Sequence, residues 1–279
     1  MPSLSSIRRF AGAGLLCASV AAGAAQPDRL ADAEAVRSIR IAIAAQRCQD
    51  AVATLKAGIK DKLPRVLFMA GVMHEEGICV AADWDKAAAL YMMAYDAREP
   101  NAVHRLMAGY ADRGSDAGMA FWWAAKNPVR DRFPAQCIPK ANPDADPDGF
   151  NGELERMPPA VFAACSYLFA VVGTVSVQSE YPPLALYHGV SGSVAMEFDP
   201  ASGRIAWRQQ DVNMAERPTR MVRDLAREEL DDPRKIRDSL LSYMKARGDA
   251  ALARHRKPLP ALDPDYVYRT TFVFDLHAD

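Results

Sequence analysis

The chain has almost no net charge, few cysteines and few histidines, and each shortage removes a class of function. Its 279 residues hold 34 basic and 35 acidic side chains, a formal charge of -1. That is too weak a field to hold nucleic acid without a local basic patch, so no nucleic-acid partner is expected. The five histidines, His74, His104, His188, His255 and His277, form no pair at metal-ligand spacing. His74-Glu75-Glu76-Gly77-Ile78 begins like a zinc-protease helix but has Ile78 where the second histidine would stand. Gly189-Val190-Ser191-Gly192-Ser193 misses the nucleophile elbow because Ser193 replaces the closing glycine. The sequence therefore yields no catalytic residue, no metal ligand and no cofactor.

Of the five cysteines, Cys17 lies in an N-terminal stretch that reads as a secretory signal peptide over residues 1–24. Arg8 and Arg9 form its basic start, Phe10 to Ala22 its apolar stretch, and Ala22-Gly23-Ala24 a small-x-small cleavage site. The apolar stretch falls short of the ~20 residues that span a bilayer. Cleavage would leave Cys48, Cys79, Cys137 and Cys165 in an oxidising compartment, an even set that implies two disulfides. Four cysteines allow three pairings, and none of them forms C-x-x-C.

What remains is a soluble α + β pattern in two domains. Residues 25–126 read as a helical region: 28–46, 49–59, 64–75, 83–97, 101–113 and 116–126 carry apolar residues at helical spacing, with Pro or Gly between them. The aromatic stripe of Tyr91, Tyr95, Phe121, Trp122 and Trp123 fits the core between those helices. Residues 127–169 form a Pro- and Asp-rich linker segment with a short helix and little packing of its own. From 170 to 279 the pattern becomes that of a small α + β module with an antiparallel sheet, beginning with an alternating strand over 172–178.

Met69-Ala70-Gly71 recurs as Met107-Ala108-Gly109, an offset of 38 residues. Leu67 to Gly77, followed by Cys79-Val80, Asp85-Lys86-Ala87, Tyr91 and Ala94, resembles the Sel-one-like repeat, a relative of the tetratricopeptide repeat. Such repeats are antiparallel helical hairpins used as scaffolds. In a helix pair turning at Asp61 to Pro64, Cys48 is expected to meet Cys79, which leaves Cys137 for Cys165. Each bridge would contribute about 2 to 4 kcal/mol by restricting the unfolded chain.

Tyr181-Pro182-Pro183-Leu184-Ala185 continues through Gly189 and Gly192 to Val194, fitting the pattern YP-x-x-A-x-x-x-G-x-x-G-x-V at every fixed position. A hairpin follows, with Val194, Met196 and Phe198 on one face and a turn at Asp199 to Gly203; Met221, Val222 and Leu225 give a helical stripe, and Tyr266 to Leu276 a last strand. Over roughly Val172 to Leu276 this resembles the C-terminal domain of TonB-family energy transducers. The family's long Pro-rich spacer has no counterpart, and a charged helical insertion lies between Asp231 and Pro264. The resemblance implies a module whose exposed strand edge accepts a strand from a partner. Tyr268, Thr270 and Phe272 are candidates to line that edge, with a core role for them weighted more heavily. The basic stripe Arg217, Arg220, Arg223 and Arg227, interleaved with Asp224, Glu228 and Glu229, fits a solvated face.

Together these features lead to an expectation of a noncatalytic periplasmic interaction protein of a Gram-negative bacterium, with envelope proteins as partners. An accessory TonB-like transducer contacting outer-membrane receptors is the alternative. A cell-envelope hydrolase seated in Asn127 to Pro159 ranks third.

Overall fold

The computed structural model describes residues 29–113, 116–177, 181–214 and 232–276. Its first six helices are α1 (Arg29–Ala44), α2 (Cys48–Lys60), α3 (Pro64–Glu76), α4 (Trp84–Asp96), α5 (Ala102–Ala111) and α6 (Gly118–Lys126), which match the predicted set. Local chemistry starts them. Pro64 opens α3, and the Asp83 carboxylate accepts the Lys86 N–H at 3.1 Å to cap α4. Asp32, buried on α1, caps α3 from outside by accepting the N–H groups of Arg65 and Val66 at 3.0 and 3.2 Å. The repeated glycines have matching roles. A methyl at Gly71 would overlap the Tyr91 ring, and one at Gly109 would overlap the Trp84 ring, so each lets an aromatic side chain of α4 press onto a helix backbone.

Four helices end in one way. Gln46, Lys62, Gly77 and Arg98 take φ of 56°, 54°, 70° and 71°. The residue after each reaches back five positions, Arg47 to Ala42, Leu63 to Gly58, Ile78 to Met73 and Glu99 to Ala94, closing the helix end with a backbone hydrogen bond. Three of the four carry a β-carbon in a region that costs such residues about 1–2 kcal/mol. Lys62→Gly is therefore expected to stabilise the protein by about 0.5–1 kcal/mol, after the extra chain entropy of glycine is subtracted. A urea midpoint that stays level or falls would refute this.

Two 3-10 turns, Arg130–Arg132 and Ala135–Cys137, lead to α7 (Pro147–Glu155), α8 (Pro159–Ser176) and the short α9 (Pro183–His188). Then come β1 (Val190–Asp199), β2 (Arg204–Met214), α10 (Pro233–Arg237), α11 (Ser239–Arg254) and β3 (Tyr268–Phe274). The sheet is antiparallel in the order β2-β1-β3, with a register shift between Ser191 and Ser193. The α + β class and the hairpin turning at Asp199 to Gly203 agree with expectation, and the inserted segment is helical as predicted. The signal-peptide segment, the helical stripe at 221–225, the basic stripe at 217–227 and His277 lie outside the described residues.

Two expectations are corrected. Residues 172–176, where a strand over 172–178 was expected, are instead the last turn and a half of α8, which ends at Ser176, and the boundary drawn at residue 170 falls inside that helix. Nor is 127–169 loosely packed: Phe133, Cys137 and Phe150 are buried in the main core. This core runs without a break from Tyr91 and Phe121, through Phe169 of α8, to Val194, Met196 and Phe198 on the inner face of the sheet. Among the described residues α8 alone is long and apolar enough to cross a membrane by length and composition, and 61% of it is buried inside the protein.

Candidate functional site

The fixed positions Tyr181, Pro182, Ala185, Gly189, Gly192 and Val194 converge on the start of β1. Pro182 precedes α9, Ala185 is fully buried on the inner side of that helix, and Gly189 ends it at φ 62°. The Tyr181 hydroxyl donates to the Val190 carbonyl at 2.6 Å, and its ring meets Phe274 edge-on at 5.7 Å. Burial, with the charge of Asp275 second, pushes the Tyr181 hydroxyl up to about 12, so it stays a donor. Gly192 sits at the register shift with φ 150°, and a β-carbon there would come within 3.0 Å of the Asp211 carbonyl. Val194 then turns fully inward. These six positions lock the helix-to-strand corner and set the register of the hairpin.

Among the described residues, both outer strands of the three-stranded sheet, β2 and β3, lie at its edges. On β3, Tyr268 and Phe272 point into the core and are 1% and 4% exposed. Tyr268 stacks on Phe133 at 5.5 Å, and burial raises its hydroxyl pKa. Thr270 accepts from Arg132 Nη1 at 2.6 Å, and the Tyr266 hydroxyl donates to the Arg132 carbonyl at 2.8 Å, which ties the beginning of β3 to the 3-10 turn. The opposite face of the strand presents Arg269, Thr271 and Val273 to solvent, Val273 at 67% exposure. Glu197 of β1 lies within ion-pair distance of Arg269 and Arg208, at 3.4 and 3.8 Å.

The alternation of β3 in the sequence exposes two faces without saying which is inside, and the Phe133 ring decides that. A second constellation, made of residues far apart in sequence, lies where the helical array meets α11. Glu75, with its side chain 4% exposed, accepts from the Tyr91 hydroxyl at 2.8 Å, Arg105 Nη1 at 3.3 Å and Arg254 Nη2 at 2.8 Å. Next to it His255 Nδ1 stands 2.8 Å from Asp112 and Nε2 2.7 Å from the Thr174 hydroxyl. Hydroxyl, imidazole and carboxylate in line is the order that activates a nucleophile. Here the imidazole is sealed, its side chain 1% exposed, and the three groups join α5, α8 and α11. Fastening helices is what this geometry does. His104 is partly buried; desolvation of its ring pushes it down to about 4, and as a neutral ring it pairs through Nδ1 with Asn127 Nδ2 at 3.3 Å.

A polar cleft of about 310 Å³ opens within the segment considered for a hydrolase, and its walls include Lys126, Asn127, Arg130, Asn142 and Asp144. Lys126 and Asp144 bridge it at 2.8 Å. Among the described residues no group of three or more His, Cys, Asp or Glu is placed to hold a metal ion. Both expected disulfides are present, Cys48–Cys79 and Cys137–Cys165, and such bridges belong to an oxidising environment. Compared with models of known families, with curated proteins and with solved structures, the chain finds no match.

Proposed function

We propose that the chain is a noncatalytic interaction protein of the bacterial periplasm, pairing a Sel-one-like helical array with a TonB C-terminal-like module. The open sheet edge carries this reading. A strand with interior anchors at Tyr268 and Phe272 and an exposed Arg269-x-Thr271-x-Val273 face is a ready template for an extended segment of an envelope partner. Among the described residues the outer backbone groups of this strand pair with no other strand; groups of that kind supply affinity, and alternating side chains select sequence. The two disulfides suit an exported protein.

A photo-crosslinking residue at Val273, with a control at Glu155, tests the idea in envelope extracts. The expected result is a discrete adduct from position 273 that maps to one extended segment of one partner. Equal adducts from both positions, or turnover of a cell-wall substrate in place of capture, would overturn the reading. An accessory transducer is the second reading, favoured by the intact Tyr181 to Val194 corner. It requires that the adduct map to an outer-membrane receptor and that the mature protein keep a membrane-held N-terminus.

A further inference from the structure

The two disulfides lie in contrasting surroundings. Cys137 and Cys165 are fully buried in the main core with Phe133, Phe150 and Phe169, so a thiol reaches them only when that core opens. Cys48 is exposed at the first residue of α2, and Cys79 is partly exposed in the loop leaving α3. The outer bridge therefore joins two surface positions. It also holds Cys79 at φ 60°, a conformation that a β-carbon disfavours. The helices it ties belong to a small cluster of their own, with Val36, Ile39, Leu55, Val66 and Met73 buried in it, distinct from the main core.

We propose that Cys48–Cys79 is a thiol-exchange site in the folded protein, and that opening it loosens α1 and α2 while the main core stays closed. The thiolate of an external dithiol attacks one of the two sulfurs; the S–S bond breaks and the other cysteine leaves as a thiolate. A mixed disulfide results. The second thiol of the reagent then attacks its own partner sulfur in that mixed disulfide, releasing the second protein thiolate and a cyclic oxidised reagent. Two electrons pass to the protein, and the two protons given up by the dithiol are balanced by those the cysteines take up. The inner bridge does not enter this exchange, because Cys137 and Cys165 are both fully buried in the main core.

Structural consequences follow from where the bridge sits. Cys48 and Cys79 are separated by 31 residues, and joining them holds the start of α2 against the end of the α2–α3 hairpin. Once it is cut, α1 and α2 rely on their small cluster and on the hydrogen bonds from Arg65 and Val66 to Asp32. The loss of a closed loop of this size is expected to raise local opening of α1 and α2 by roughly 30- to 900-fold.

Dithiothreitol in native buffer, followed by alkylation and mass mapping, tests the proposal. Cys48 and Cys79 are expected to take label at least about 100-fold sooner than Cys137 and Cys165. In the singly reduced species, amide hydrogen exchange is expected to quicken in α1 and α2 and to stay unchanged in α8 and β1. Four cysteines labelling together, the inner pair labelling first, or unchanged exchange in α1 and α2 would each overturn it. The double variant C48S/C79S gives a route without reductant. It is expected to fold, to show the same exchange pattern and to keep the inner bridge resistant to dithiothreitol. A double variant that fails to fold would equally overturn the claim that the main core holds alone.

Discussion

Glu75→Ala is expected to cost about 3–5 kcal/mol, the range for removing one partner from a buried ionic cluster. The carboxylate is nearly sealed, yet three donors from three helices end on it: the Tyr91 hydroxyl on α4, Arg105 on α5 and Arg254 on α11. Its removal leaves a fully buried hydroxyl without an acceptor. Among the described residues it also leaves Arg105, whose Nε already has no hydrogen-bond partner, with only Glu76 at 3.4 Å. Burial, and then the charge of Glu75, pushes the Tyr91 hydroxyl far up, so this group cannot ionise to compensate. Glu76 supplies the contrast. It touches the same two arginines, but its side chain is 43% exposed, so Glu76→Ala should cost no more than about 1 kcal/mol. Tyr91→Phe, which keeps both ion pairs, should fall near 1 kcal/mol. Chemical denaturation of the three variants reads the order directly. Near-equal losses for Glu75 and Glu76 would show that solvent, and not burial, governs the cluster.

None of that cluster was legible in the sequence as a unit, and the reason is physical. Its members come from positions 75, 91, 105, 112, 174, 254 and 255, and nothing local marks them as neighbours. The sequence did flag His74-Glu75-Glu76, but for a metal role that the spacing then denied. Features set by local chemistry were readable: the helix starts at Pro64 and Asp83, the hairpin turn before Gly203, and the paired glycines at 71 and 109. The left-handed helix ends at Lys62 and Arg98 were not, since lysine and arginine carry no preference for that conformation and accept it only because the following turn closes on the helix. The pairing of the cysteines was within reach because a hairpin of helices fixes which ends lie together.

The stretch from Val172 to Ser176 shows how local preference loses to burial. Valine, threonine and glycine favour strands or turns, and in a segment that is apolar nearly all round there is no polar face to betray a helical period. The helix forms because the surface it covers surrounds it: α5 and α6 on one side, α11 on another, the sheet beyond. Tyr268 and Phe272 carry the same lesson. Their strand was found from its alternation, but the side that faces the protein was settled by Phe133, which comes more than 130 residues earlier.

Gly173→Val is expected to destabilise the protein by about 3 kcal/mol or more, the upper end of what overpacking costs. A β-carbon at this position would stand 2.7 Å from the His104 carbonyl oxygen, 3.0 Å from the Ala108 β-carbon and 3.1 Å from the Ala108 nitrogen. Two of those three atoms belong to backbone, so no side chain can swing away and α8 must separate from α5. That contact is where the helical array and the sheet module share their core. The damage should therefore reach both halves together. For a chain of this length, a loss of that size corresponds to a fall in Tm of roughly 6–12 °C. Tryptophan fluorescence separates the halves, since Trp84, Trp122 and Trp123 report on the helices and Trp207 on the sheet. With Trp207 replaced by phenylalanine in one preparation and kept as the sole tryptophan in another, the transitions should coincide and shift by the same amount in the Gly173→Val background. A sheet that melts on its own, with the helical transition unmoved, would mean that α8 belongs to one half only and that the shared core contributes little to coupling them.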